Sequence, residues 1–318
     1  MRQAPFVARY RAEWQALERC LRDRRADCPD LPHRYRRVCQ QLALARRRGY
    51  ASHLQERLGQ LVLLGHQRLY RPRRPLLPAI GRFFTRGLPR RARAEWPFIA
   101  VSAALFFGSL LAMLVGVLLR PELAETLLDP AELARMADMY DPAGALQRVG
   151  REDAAASDLL MFGYYLRNNT GIGFQTFAGG LPAGLGSVFF LLFNGLYIGA
   201  VAGYVSALGH LHSFWGFVAG HSAPELTAIV LSGAAGLRLG AALLAPGRRR
   251  RGPALRHAAR PALELVYGAA SLFFVAAGIE AFWSSRADLP FALKLAVGLA
   301  LWALLLAWLL LAGRRRAA

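Results

Sequence analysis

The sequence contains a single lysine, Lys294, although 40 of its 318 residues are Lys or Arg. Its positive charge is therefore almost entirely arginine. Acidic residues number 20, leaving a formal net charge of +20. Charged residues make up 19% of the chain, below the roughly 25% usual in soluble domains. Cysteine is scarce as well. Cys20, Cys28 and Cys39 show no CxxC spacing, so they read as reduced thiols rather than zinc ligands, and an odd number argues against a disulfide framework. Residues 1–30 hold no apolar core segment, which excludes a signal peptide. No Walker A loop, GxSxG elbow or HExxH helix occurs, and a Ser-Lys dyad is excluded because Lys294 opens the last apolar run. The expectation is a non-enzyme without cofactor or metal.

What the chain does have is apolar sequence: 55% hydrophobic residues, with a mean hydropathy of +0.27. A chain both this apolar and this basic is neither a cytosolic enzyme nor a disordered tail, since disorder needs low hydrophobicity. The two properties are segregated. Residues 1–94 read as a cytoplasmic, basic helical region. Phe6, Tyr10, Trp14, Leu17 and Leu21 follow helical spacing. A second run from Tyr35 to Tyr70 carries Val38, Leu42, Leu44, Leu54, Leu58, Leu61 and Leu64 among arginines. Pro29 and Pro32 between them suggest an antiparallel helical pair. Residues 79–94 read as a basic amphipathic helix on the membrane surface.

Residues 95–318 read as the transmembrane domain of an all-α, polytopic membrane protein, with spans at 97–119, 160–180, 185–207, 223–245, 262–283 and 291–312. The arginine surplus of residues 1–94, of Arg248–Arg251 and of Arg314–Arg316 places both termini in the cytoplasm by the positive-inside rule. Residues 120–158 are richer in acids and are free to lie outside, and Leu208 to Gly220 form an external loop. Three spans between 160 and 246 then satisfy parity. Arginines beside a membrane are expected to bind anionic lipid rather than nucleic acid.

Polar groups within hydrocarbon are costly and need a reason. Arg167, Asn168, Asn169, His221, Glu225 and Glu280 all fall toward the external half, which suggests a shared polar cluster in which the arginine offsets the two carboxylates. Asn194 opens a stripe of small residues, Gly195, Gly199 and Gly203. A second stripe, Ser232, Gly236 and Gly240, follows on the next span. Such stripes permit close helix approach, and one of them is the expected seam of a homodimer. Ser222 and Glu225 have capping-box spacing, with Pro224 in the first turn, so a helix is expected to start there. His221 and Glu225 are four apart and could share a helix face, but a metal site would need a third ligand. Arg238 lies about 20 Å along a helix from Glu225 and should reach the cytoplasmic face instead.

Taken in order, Asn168-Asn169, Phe177, Gly179-Gly180, Asn194-Gly195 with Gly199, His221 with Glu225-Leu226, Ala228-Ile229, and Gly233 to Leu237 with Gly240 resemble the stage II sporulation protein M family. Ser222 stands where that family usually has glycine. The resemblance implies an integral membrane protein of the bacterial inner membrane without known catalysis. In spore formers the family member is a scaffold that recruits peptidoglycan-degrading partners. In other bacteria its relatives tend to be encoded near MoxR-type ATPases. The leading expectation is therefore an envelope scaffold with protein partners. The alternative is a channel or transporter, its polar path lined by the intramembrane Asn, His and Glu residues.

Overall fold

The structure is a computed structural model and describes residues 2–22, 30–69, 76–141, 154–286 and 288–314. Those residues form helices joined by short turns, with no strand among them, and the chain divides into two compact units, residues 1–79 and 80–318.

The first unit holds α1 (Gln3–Arg22), α2 (Leu31–Arg47) and α3 (Ser52–Leu69). The apolar run expected as one helix is thus two. Gly49 adopts φ +60, Gly49 N donates to Arg46 O, and Tyr50 N donates to Ala45 O at 3.1 Å. These two bonds close α2 with a Schellman turn, a conformation that glycine takes without a Cβ clash. Phe6, Trp14 and Leu17 of α1 meet Val38 and Leu42 of α2 and Leu54, Leu58 and Leu61 of α3 in a closed core. Trp14 Nε1 donates to Gln41 Oε1 (2.6 Å), which satisfies the buried polar pair. Leu64, expected among the apolar face, is exposed instead. Cys20 is disulfide-bonded, which corrects the expectation of reduced thiols. Cys39 is free, and Cys28 lies outside the described residues.

The segment expected on the membrane surface carries the unit boundary within its first helix, α4 (Leu76–Arg82), and goes on as a π turn (Phe83–Gly87) and α5 (Leu88–Ala94). Next come α6 (Trp96–Leu119), a 3₁₀ turn (Pro121–Thr126), α7 (Pro130–Tyr140), α8 (Ala154–Ala178), α9 (Leu185–Ala207) and α10 (Leu211–Leu244). The chain ends with α11 (Arg251–Ile279), a π segment (Glu280–Ser284) and α12 (Phe291–Leu311). Five of these stretches are long and apolar enough to cross a membrane: α6, α9, α10, α11 with its π segment, and α12.

Helix registers fix direction. Gly195, Gly199 and Gly203 of α9 lie against Phe106, Leu110 and Val117 of α6 in rising order, so the two helices are parallel. Something must return the chain between them. α8 has 25 residues, about 37 Å at 1.5 Å per residue, and Gly173 and Gly180 rise with Ser232 and Gly236 of α10. It makes the return pass although its polar residues leave it less apolar than the five other spans. The starts of α6, α9 and α11 and the ends of α8, α10 and α12 share one end, here the arginine end. The 3₁₀ turn and α7 sit at the other, the acidic end.

Two expectations fail in α10. Leu208 to Gly220 is not a loop, because Gly209 at φ +90 turns the chain sharply and helix resumes at Leu211. Helix also runs unbroken through Pro224, so Ser222 caps nothing. Its Oγ donates to Ala219 O and accepts from Trp302 Nε1. Packing overrides the local start signal here. Gly220 sits under the Trp283 ring, and Gly216 under Phe291, so the upstream turns are held by α12 and the π segment.

Candidate functional site

Both glycine stripes are filled within the chain. A Cβ at Gly195 or Gly199 would meet the α6 backbone, one at Gly236 the Thr176 and Phe177 carbonyls, and one at Gly240 the Gly184 backbone. Ser232 Oγ faces Gly173 at the same contact. The stripes are intramolecular seams, which removes them as the expected dimer surface. Asn194 Nδ2 donates back to Phe190 O (2.7 Å) and takes no part in any shared cluster.

The arginine end is a network of matched charges. Glu95, which precedes α6, has Oε2 3.0 Å from Arg238 Nε and Oε1 3.7 Å from Arg91 Nη1. Arg91 Nε donates to Glu264 Oε2 (2.7 Å), and Arg260 lies 3.6 Å from the other Glu264 oxygen. Arg238 also stacks over the Phe98 ring. Arg93 donates to Leu309 O and Ala312 O, and Arg90 to Gly313 O, supplying donors for the last carbonyls of α12. The basic segment is therefore only partly free to meet a membrane. Three of its arginines turn onto neighbouring helices, while Arg82 and Arg86 stay exposed.

The acidic half holds the candidate site. His221 and Glu225 lie one turn apart on α10, with His221 Nε2 3.8 Å from Glu225 Oε2. Glu280 reaches them from the π segment, and one ligand atom from each of the three residues lies within 4.8 Å of the others. π segments are frequent at functional sites because the wider turn re-aims side chains. This one directs both Glu280 and Ser284 inward, 8% and 1% exposed. His221 Nδ1 is hydrogen-bonded to Ser284 Oγ (3.1 Å). Asn169 Nδ2 donates to Glu280 Oε2 at 3.5 Å, and Asn168 Nδ2 donates to Asn169 Oδ1. Lys294 Nζ, buried, donates to Ser284 O (2.9 Å). Tyr140 closes the group from α7. Burial first, then the nearby Glu280 and Glu225 carboxylates, push its phenol up to about 12.

Four of the expected cluster residues thus come together: Asn169, His221, Glu225 and Glu280. Asn168 is attached at the rim. Arg167 is not a member; it is exposed on the α8 face beside Leu160 and Tyr164. Two residues before Asn169 on the same helix, Arg167 is turned by about 200° from it, so the pair cannot face the same neighbour. Among the described residues, no arginine or lysine lies within ion-pairing distance of Glu225 or Glu280. His210 and His212 stay away from the trio, and His212 packs on the Phe291 ring. Ser284, Lys294 and Tyr140 were not foreseen. The lone lysine within an apolar run and a serine four residues after Glu280 were available signals; Tyr140 offered none.

An all-α bundle with this many apolar helices is a multi-pass membrane protein. Residues 98–285 match the family described as Stage II sporulation protein M, more than half of the chain, and the chain belongs to that family. Residues 4–71 match a separate family, a domain of unknown function (DUF8413). No curated protein and no solved structure matches the chain. The first match takes in α6 through the π segment and so contains Asn169, His221, Glu225 and Glu280; Lys294 and α12 fall beyond it.

Proposed function

We propose that this chain is a non-enzymatic scaffold of the bacterial inner membrane, its helical bundle anchoring a separately packed basic unit that docks an envelope partner. Both termini and the arginine end face the cytoplasm in this reading. The observation that carries it is the N-terminal unit. It has its own closed core from Phe6 to Leu61, while Arg36, Arg46, Arg47 and Arg48 stay exposed on its outside. A domain that buries its apolar faces within itself and keeps its arginines outward offers them to acidic partners, either a protein or the anionic headgroups of the adjacent leaflet. Family resemblance favours peptidoglycan-remodelling or MoxR-type ATPase partners.

The test is crosslinking in native membranes with photoreactive groups at exposed positions of α2 and α3. A reproducible protein adduct that disappears with Arg46→Glu and Arg47→Glu supports docking. Adducts to lipid alone, or none, remove it. Transport is the second reading, favoured by one observation: among the described residues, no arginine or lysine pairs with Glu225 or Glu280. Proteoliposomes that pass no ion or solute, with Glu225→Gln behaving as wild type, would dismiss that alternative.

A further inference from the structure

We infer that His221, Glu225 and Glu280 form a divalent metal site of the zinc class, inside the acidic half of the bundle. The inference does not depend on the scaffold reading.

Three features combine. The first is the donor set. One imidazole nitrogen and two carboxylates are ligands that Zn²⁺ accepts, and that Mn²⁺ and Co²⁺ share. The second is geometry. The three donor atoms lie within 4.8 Å of one another, and His221 Nε2 stands 3.8 Å from Glu225 Oε2. Donors on a tetrahedral ion with bonds of about 2.0–2.1 Å are separated by about 3.3 Å, so rotamer adjustments of about an ångström would close the site. Three protein ligands leave a fourth position for water.

The third feature is orientation. His221 is 5% exposed, and its Nδ1 is held by Ser284 Oγ. In the tautomer with the proton on Nδ1, that nitrogen donates to Ser284 and the Nε2 lone pair is left facing Glu225. Nε2 makes no hydrogen bond among the described residues. A histidine fixed through one nitrogen and open at the other is the arrangement found at metal centres, where the outer partner sets tautomer and ring angle. Asn169 does the same for Glu280.

Charge decides between a metal and an ordinary polar contact. Among the described residues, the surrounding charged and titratable groups are Lys294, Tyr140 and the two carboxylates themselves. Lys294 donates to the Ser284 carbonyl, whereas His221 meets the Ser284 hydroxyl, and among the described residues Lys294 is paired with neither glutamate. Two carboxylates and one divalent ion sum to zero, which removes the cost of holding them in a low-dielectric interior.

The experiment uses the untagged full chain in detergent, stripped with a chelator and retitrated with Zn²⁺ by calorimetry; Co²⁺ gives the visible absorption of the bound ion. The expected result is one equivalent per chain, a tetrahedral Co²⁺ spectrum, and a melting temperature that rises with Zn²⁺. Glu280→Gln or Glu225→Gln should weaken binding by more than 100-fold. Ser284→Ala, which releases only the histidine, should weaken it about 10-fold. Glu264→Gln, at the arginine end, should leave it unchanged. Metal-free melting of each variant shows whether it is folded. Absence of stoichiometric binding by Zn²⁺, Co²⁺ and Mn²⁺ to the wild type, or binding that folded Glu280→Gln retains, overturns the inference. Neither result bears on partner docking by the N-terminal unit.

Discussion

The two ends of the membrane bundle handle carboxylates in opposite ways. At the arginine end, Glu95 sits between Arg238 and Arg91, and Glu264 between Arg91 and Arg260. At the acidic end, Glu225 and Glu280 approach each other and His221 with no arginine or lysine in pairing range among the described residues. The same chain carries many arginines, so the omission is not for lack of them. Matched charges stabilise a fold and leave nothing over. Unmatched buried carboxylates are a cost that only a proton or a bound cation relieves. The arginine end reads as structure, the acidic end as function.

This contrast can be broken most directly by neutralising one carboxylate at each end. Glu95→Ala should strand Arg238, leave Arg91 with Glu264 alone, and cost about 2 kcal/mol, a lower value than for a fully buried pair because both arginines retain some exposure. Glu280→Gln, melted in the same detergent with chelator present, should cost nothing beyond about 0.5 kcal/mol because no ion pair is lost. Equal losses in the two variants would erase the distinction.

Arg93→Ala should cost about 1.5 kcal/mol by removing two charge-assisted donors from the end of α12, read as faster amide exchange in its last turn. Lys294→Met should cost less, under about 1 kcal/mol, since the lost bond to Ser284 O is offset by relief of a buried charge. The smallest effect belongs to the exposed pair Arg286–Asp288 beyond the π segment. Hydrogen bonds from Arg286 hold the Asp288 carboxyl below its ordinary value. Its contribution is therefore present above the usual carboxylate range and fades as pH falls through the depressed value. Asp288→Asn should lower the melting temperature slightly at neutral pH and low salt, and match the wild type in acid or in 1 M salt.

Much of this was readable in residue order. Apolar run lengths gave the spans, and arginine bias put the ends of α6, α10, α11 and α12 on one side, where Glu95 and Glu264 bind them. Asn169, His221, Glu225 and Glu280 were identifiable because a polar group within hydrocarbon demands a partner. Arg167 was misassigned for a simple reason: depth along a helix is legible from sequence, whereas the azimuth of a side chain depends on which neighbour the helix packs against. The capping box at Ser222 and Glu225 was a valid local signal that lost to Trp283 and Phe291 packing over Gly220 and Gly216. Gly49, by contrast, was an available stop signal for α2.

By itself the sequence determined composition-driven properties: an all-α membrane bundle, a basic helical unit before it, and the polar residues that could not face lipid. These follow from transfer free energies, which depend on residue type and run length. Tertiary structure alone decided that the glycine stripes close on α6 and α8 rather than on a second chain, that Lys294 and Ser284 stand behind His221, and that Glu280 supplies the third donor. Those contacts, like the one from Asn169 to Glu280, join residues far apart in the chain and arise only when helices of fixed register meet.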